Sequence, residues 1–182
     1  CCAIGGTLAW LTDKTDEVKN TFSPSDINIT LTETPNTDTD NDGKADAWKA
    51  DMIPGFSYTK NPVVTVEDDS VDCYLFVKFE ENGNPSTYLT YASTLTAANG
   101  WTQGDGTSIP SNVWYRVVKA GDTTKSWNLL DGNTIAVKDT VTKDNMADAA
   151  KAELVYTAYA TQLYKSNGVE FTAAKAWANA LA

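Results

Sequence analysis

The stretch Cys-Tyr-Leu-Phe-Val-Lys-Phe-Glu, residues 73–80, constrains this chain more than any other. It is apolar on both faces for most of its length. A strand that alternates apolar with polar residues needs cover on one side only, whereas one that is apolar throughout must be covered on both. Residues 73–80 are therefore expected as a central strand, closed by the Asn82-Gly83-Asn84-Pro85 turn. Any fold available to the chain has to supply two layers of cover for it.

The neighbouring segments read as strands of the half-buried kind. Residues 26–34 set Ile27, Ile29 and Leu31 against Asn28, Thr30 and Thr32, and Pro35 ends the run. Residues 62–67 carry Val63, Val64 and Val66 behind a proline at the strand start, where it is tolerated. Residues 113–120 place Trp114, Arg116 and Val118 opposite Val113, Tyr115 and Val117. Residues 126–130 and 134–141 suggest a hairpin through Asp131-Gly132-Asn133, and residues 154–163 are the last long strand. Three stretches read as short helices. Residues 86–98 begin at Ser86, and residues 143–153 are capped by Thr142 with Met146, Ala149 and Ala150 at helical spacing. Residues 171–181 have Thr172 as N-cap and Ala174, Trp177 and Leu181 on one face. Turn residues recur at the spacing of a β-sandwich. The expected fold is all-β: a jelly-roll or Ig-like sandwich with two or three short decorating helices and an extended N-terminal arm. Residues 1–22 form the arm and linker, and residues 23–182 a single domain.

Bulk properties narrow the function. The chain has 182 residues, 42% hydrophobic and 21% charged, enough for a buried core. Its formal net charge of -10 argues against nucleic acid and against anionic membrane surfaces, since both demand a basic face. No run of residues is long and apolar enough for a membrane span. Histidine is absent, which removes the commonest general base and the commonest zinc ligand. The glycines sit singly in turns, so no phosphate-cradling loop is present. This composition does not suggest an enzyme. Tyr88, Tyr91, Trp101, Trp114, Tyr115 and Trp127 offer either a sugar-stacking face or core packing, with packing the preferred reading.

Residues 36–46 alternate acidic side chains and then turn at Gly43. Asp38, Asp40, Asp42, the Lys44 carbonyl and Asp46 reproduce the front half of a calcium loop, although Lys49 stands where the closing bidentate glutamate belongs. The competing reading is a solvated acidic hairpin tip whose Asn41-Asp42-Gly43 makes a turn. Calcium is the one cofactor the sequence suggests, and none is required. The cysteines are Cys1, Cys2 and Cys73. An odd count allows a free thiol or an intermolecular pair. Cys73 on its strand reads as buried and free, and the other two as remnants of an export signal.

At the N-terminus, residues 3–11 are apolar and β-permissive with no helical period, and a charged tether, residues 13–19, separates them from the domain. An apolar arm of this kind templates sheet addition unless it has a sheet to join. Residues 1–9 also read as the tail of an apolar signal core ending in Leu8-Ala9. The run Gly5-Gly6-Thr7-Leu8-Ala9-Trp10-Leu11-Thr12-Asp13, followed by Asn20-Thr21-Phe22 and a strand start, resembles the N-terminus of the TasA/CalY (camelysin-like) proteins. The similarity continues at Ile53-Pro54-Gly55 and in the last long strand, residues 155–162, ending near Asn167-Gly168. That family consists of secreted subunits of bacterial biofilm matrix fibres. The resemblance implies a jelly-roll, an extracellular or cell-surface location, signal cleavage near Ala9, and identical subunits as partners, with other matrix components in reach. The metallopeptidase label the family has carried does not transfer, because no His-Glu-x-x-His helix exists without histidine.

Two functions follow as expectations. In the first, the arm lies in the next subunit's sheet with Ile4, Leu8, Trp10 and Leu11 as anchors, and head-to-tail contacts build a filament. Cys1 or Cys2 would then meet a neighbour's Cys73 as a disulfide. In the second, the chain is a monomeric surface module, calcium-dependent and carbohydrate-binding or adhesive.

Overall fold

The computed structural model describes residues 27–34 and 51–182, together with the backbone of residues 19–20. The strands are β1 (Lys19–Asn20), β2 (Ile29–Thr32), β3 (Ser57–Thr59), β4 (Val63–Val66), β5 (Cys73–Asn82), β6 (Leu89–Thr90), β7 (Thr102–Gln103), β8 (Val113–Val118), β9 (Ser126–Asn128), β10 (Thr134–Val137) and β11 (Glu153–Gln162). Three α-helical segments accompany them: α1 (Pro85–Tyr88), α2 (Met146–Ala149) and α3 (Ala173–Ala180). The described chain is thus mostly β, with few and short helices. No described helix is long and apolar enough to cross a membrane.

The strands form one five-stranded sheet in the order β1-β11-β5-β8-β7 and two three-stranded sheets, β3-β10-β6 and β2-β4-β9. Every pairing is antiparallel except β1 with β11. The β5–β11 ladder runs from Cys73↔Gln162 to Asn82↔Glu153 without a break. β5 lies at the middle of the large sheet and is covered on both faces, as its composition demands. Cys73, Leu75 and Val77 enter a core shared with Ile29, Leu31, Val64, Val66, Leu89, Ile135 and Val137 of the small sheets. Tyr74 and Phe76 point the other way, into a second cluster with Val113, Tyr159, Leu163 and α3. The layers are small sheets, large sheet and helix.

Trp177 is the largest side chain by which α3 packs on the sheet. Trp177 is 5% exposed, and its ring centroid lies 5.2 Å from Phe76 and 5.2 Å from Tyr159. Thr172 caps the helix as the sequence suggests, its hydroxyl oxygen accepting from the Lys175 amide at 3.3 Å. The buried face differs from the expected one: Ala176, Trp177 and Ala180 face the sheet, while Leu181 is 50% exposed.

Three local expectations are corrected. Residues 86–98 are not a helix. α1 is a single turn, after which Leu89 and Leu95 enter the core and Ser93 bridges Leu130. Residues 143–153 give only the one-turn α2 before β11 starts at Glu153, and the N-cap position is Asn145 rather than Thr142. Here two connections pass at close range: a Cβ on Gly83, whose φ is +66°, would stand 2.0 Å from the Lys151 carbonyl oxygen. Finally, residues 126–130 and 134–141 are not paired. β9 bonds to β4, and β10 to β3 and β6, so the Asp131–Asn133 corner carries the chain between the two small sheets.

At the end of β2, a fully buried Lys60 ammonium meets both carboxylate oxygens of Glu33, at 2.7 and 2.9 Å. Thr34 and Asn61 bond beside it through backbone and side chain. This pair pins the ends of the sequence that runs from β2 to β4.

The packing predicts unequal costs along α3. Trp177→Ala should lose about 3–5 kcal/mol in denaturant unfolding, the usual penalty for emptying a large aromatic site. Leu181→Ala should stay within about 0.5 kcal/mol of the parent, as an exposed position does. Equal losses would place the helix on its other face.

Candidate functional site: the outer edge of the last long strand

β11 carries Leu154, Tyr156, Ala158 and Ala160 into the inter-sheet core, and Tyr159 toward α3. Its run of aromatic, β-branched and small residues suits a pleated strand packed on both faces. On one side it pairs with β5 at all ten positions. On the other side its described strand neighbour is β1, which pairs at Lys19↔Tyr159 and Asn20↔Ala160. That pairing is parallel, so the N-terminal end of β1 points toward the Glu153 end of β11. Parallel neighbours require a crossover or an incoming segment rather than a tight hairpin. Here the neighbour is the chain that follows the N-terminal arm. The sheet therefore begins inside the stretch that the sequence assigns to arm and linker.

Most of the site residues expected from sequence lie outside the described residues: Ile4, Leu8, Trp10 and Leu11 of the arm, Cys1 and Cys2, and the calcium candidates Asp38, Asp40, Asp42, Lys44 and Asp46. Among the described residues, no three acidic or cysteine side chains converge as a metal set.

Cys73 is described. It is free, and its side chain is fully buried in the inter-sheet core. Burial, and secondarily the negative charge of Asp72, push its thiol up to about 12. The thiolate is the reactive form, so this sulfur is shielded both by packing and by protonation.

The six aromatic candidates do not form one platform. Trp101, Trp114, Trp127, Tyr88 and Tyr91 pack on or against the inter-sheet core, whereas Tyr115 packs on the α3 face. Trp101 is 2% exposed. Tyr91 donates its hydroxyl to Glu81, and burial together with that carboxylate raises the phenol above its ordinary range. One arrangement in this region is not legible in sequence. Arg116 of β8 lies over two indoles, its guanidinium carbon 4.3 Å from the Trp127 ring centroid and 5.0 Å from that of Trp101. The two rings meet edge to face, 6.0 Å apart at 74°. In sequence, Arg116 reads only as the polar member of an alternating strand, and nothing links it to residues on two other segments.

Comparison with protein-family models, curated proteins and solved structures finds no match.

The state of Cys73 predicts silence toward thiol reagents. In the folded protein at pH 8, a disulfide reagent should label it far more slowly than in denaturant, with the rate following unfolding. Its stabilising contribution is fully present below the ordinary thiol value of 9.0 and is lost as pH rises from there to about 12. Melting temperatures in that window should fall less for Cys73→Ala than for the parent, when each is compared with its own value at pH 7.

Proposed function

We propose that this chain is a structural subunit of an extracellular bacterial filament, built on a jelly-roll and polymerising head to tail through its N-terminal arm. The observation that carries the reading is the parallel seating of β1 on the outer edge of β11. The segment leaving the arm enters a sheet at an edge ten residues long, of which β1 takes two. Backbone bonds along such an edge give affinity, and pockets for alternate side chains give register. Ile4, Leu8, Trp10 and Leu11 are the residues for those pockets in a neighbouring subunit. A contact between an arm and a different surface is heterologous and does not close, so repetition extends it into a fibre. The N-terminal resemblance to biofilm matrix fibre subunits supports the same reading.

A disulfide between Cys1 or Cys2 and a neighbour's Cys73 is a weaker part of it. The Cys73 sulfur is enclosed, so the exchange would need β5 to open first. Net charge bears on assembly as well. Subunits at -10 repel one another, and neutralising carboxylates relieves that repulsion.

The test is negative-stain microscopy and sedimentation of the purified protein at neutral and mildly acidic pH, beside a variant lacking residues 1–13. The parent should form filaments, more readily in acid. The shortened chain should melt cooperatively yet stay monomeric. Filaments from the shortened chain would overturn the arm mechanism, and a monomeric parent at both pH values would overturn the filament.

A further inference from the structure

We propose that the notch formed by Arg116, Trp101 and Trp127 is a binding site for the carboxylate of a uronic-acid sugar. Arg116 is the only arginine in a chain with 24 acidic residues. Even so, among the described residues no carboxylate pairs with it. Its one hydrogen bond is long, from Nη1 to the Asn99 carbonyl oxygen at 3.5 Å. Its remaining nitrogens are not among the buried polar atoms that lack a partner, so they face solvent. The group is a planar fork of donors, mostly unused.

The fork is also held rigidly. Two indoles fix it by cation–π contact, at 4.3 and 5.0 Å. The backbone beneath it is Gly100, with φ +78°, where a Cβ would stand 3.0 Å from Nη2. A left-handed position directly under the guanidinium favours glycine twice over. Partial burial holds the Arg116 pKa below the ordinary arginine value, with the Asp122 charge opposing, and an arginine stays cationic at neutral pH. A cation that is partly stripped of water, fixed in plane and short of acceptors is prepared for a planar anion, because little ordering remains to be done on binding. Guanidinium matches carboxylate bidentately, which a lysine ammonium cannot do. Trp127, half-buried beside the fork, keeps part of its apolar indole exposed there for contact with a pyranose. Of the acidic side chains, Asp122 is near enough to act on the guanidinium, though among the described residues it makes no ion pair with it; charges beyond about 8 Å are screened at physiological salt. The site lies on β8, away from the β11 edge, and does not depend on the filament reading.

The test follows the Arg116 Nε–H and the tryptophan indole N–H signals of the full chain by NMR. Glucuronate, its methyl ester, glucose, acetate and inorganic phosphate are titrated separately. Glucuronate should shift the Arg116, Trp101 and Trp127 signals saturably. The methyl ester, glucose and acetate should each bind at least about tenfold more weakly, and so should phosphate, which can engage the fork but brings no pyranose ring to Trp127. Arg116→Lys should keep the fold and lose about tenfold in glucuronate affinity. If that variant melts early, Trp127→Phe, which keeps the guanidinium, should weaken glucuronate more than acetate. Absence of saturable shifts, equal response to glucose or phosphate, or full affinity in Arg116→Lys would overturn the proposal.

Discussion

The structure depends on one ladder. β5 and β11 pair over their whole length; β11 is buried nearly throughout, and β5 along its first half. Backbone bonds make the pair continuous, but its apolar side chains on two faces make it impossible alone. Each large apolar side chain hidden from water is worth about 1.5–3 kcal/mol, and this benefit is collected only when both faces are covered. The small sheets cover one face and α3 the other. The strands of the small covering sheets are short, β6 two residues and β3 and β9 three each, and the edge strand β7 of the large sheet has two.

The same ladder sets where the chain can meet other molecules. Both faces of the large sheet are occupied, so the lateral edges are what remains for pairing. β1 stands at one edge, on β11, and β7 at the other, on β8. Lys19 and Asn20 occupy part of the first edge. Arg116 and its two tryptophans belong to the side of the second, with β5 between β8 and β11. An occupant of one has no reason to displace an occupant of the other.

Much of this was readable in sequence where one period governs one strand. In β2 the apolar positions alternate, and buried and exposed residues alternate with them, while in β4 burial alternates although Val63, Val64 and Val66 are all apolar. β8 separates Trp114 and Val118 from Val113 and Tyr115 in the way its pattern implies. Sequence misled where local chemistry had a different tertiary use. Gly132 and Asn133 do adopt consecutive left-handed conformations, at φ 59° and 49°, the chemistry of a hairpin turn. The strands beside them nevertheless join different sheets. The alanines near residue 150 read as helix propensity. In the structure Ala149 and Ala152 are buried, and the nearby Lys151 carbonyl faces Gly83, so small residues serve close packing instead. For the candidate site, the burial of Cys73 was legible from its strand. The Arg116 notch was not, because its parts come from three segments whose meeting is a property of the fold alone.

The Glu33–Lys60 pair has a consequence for how such chains vary. Its partners stand 27 residues apart, and Thr34 and Asn61 bond to each other alongside. Burying two charges together is expensive unless both find each other, so the pair locks a single register at that junction. Between these fixed ends the chain also lays β3 onto β10, so its return to β4 is anchored at two places. A change made in this stretch therefore has to leave both anchors in place for the hydrogen bonds of β2 and β4 to stay in step.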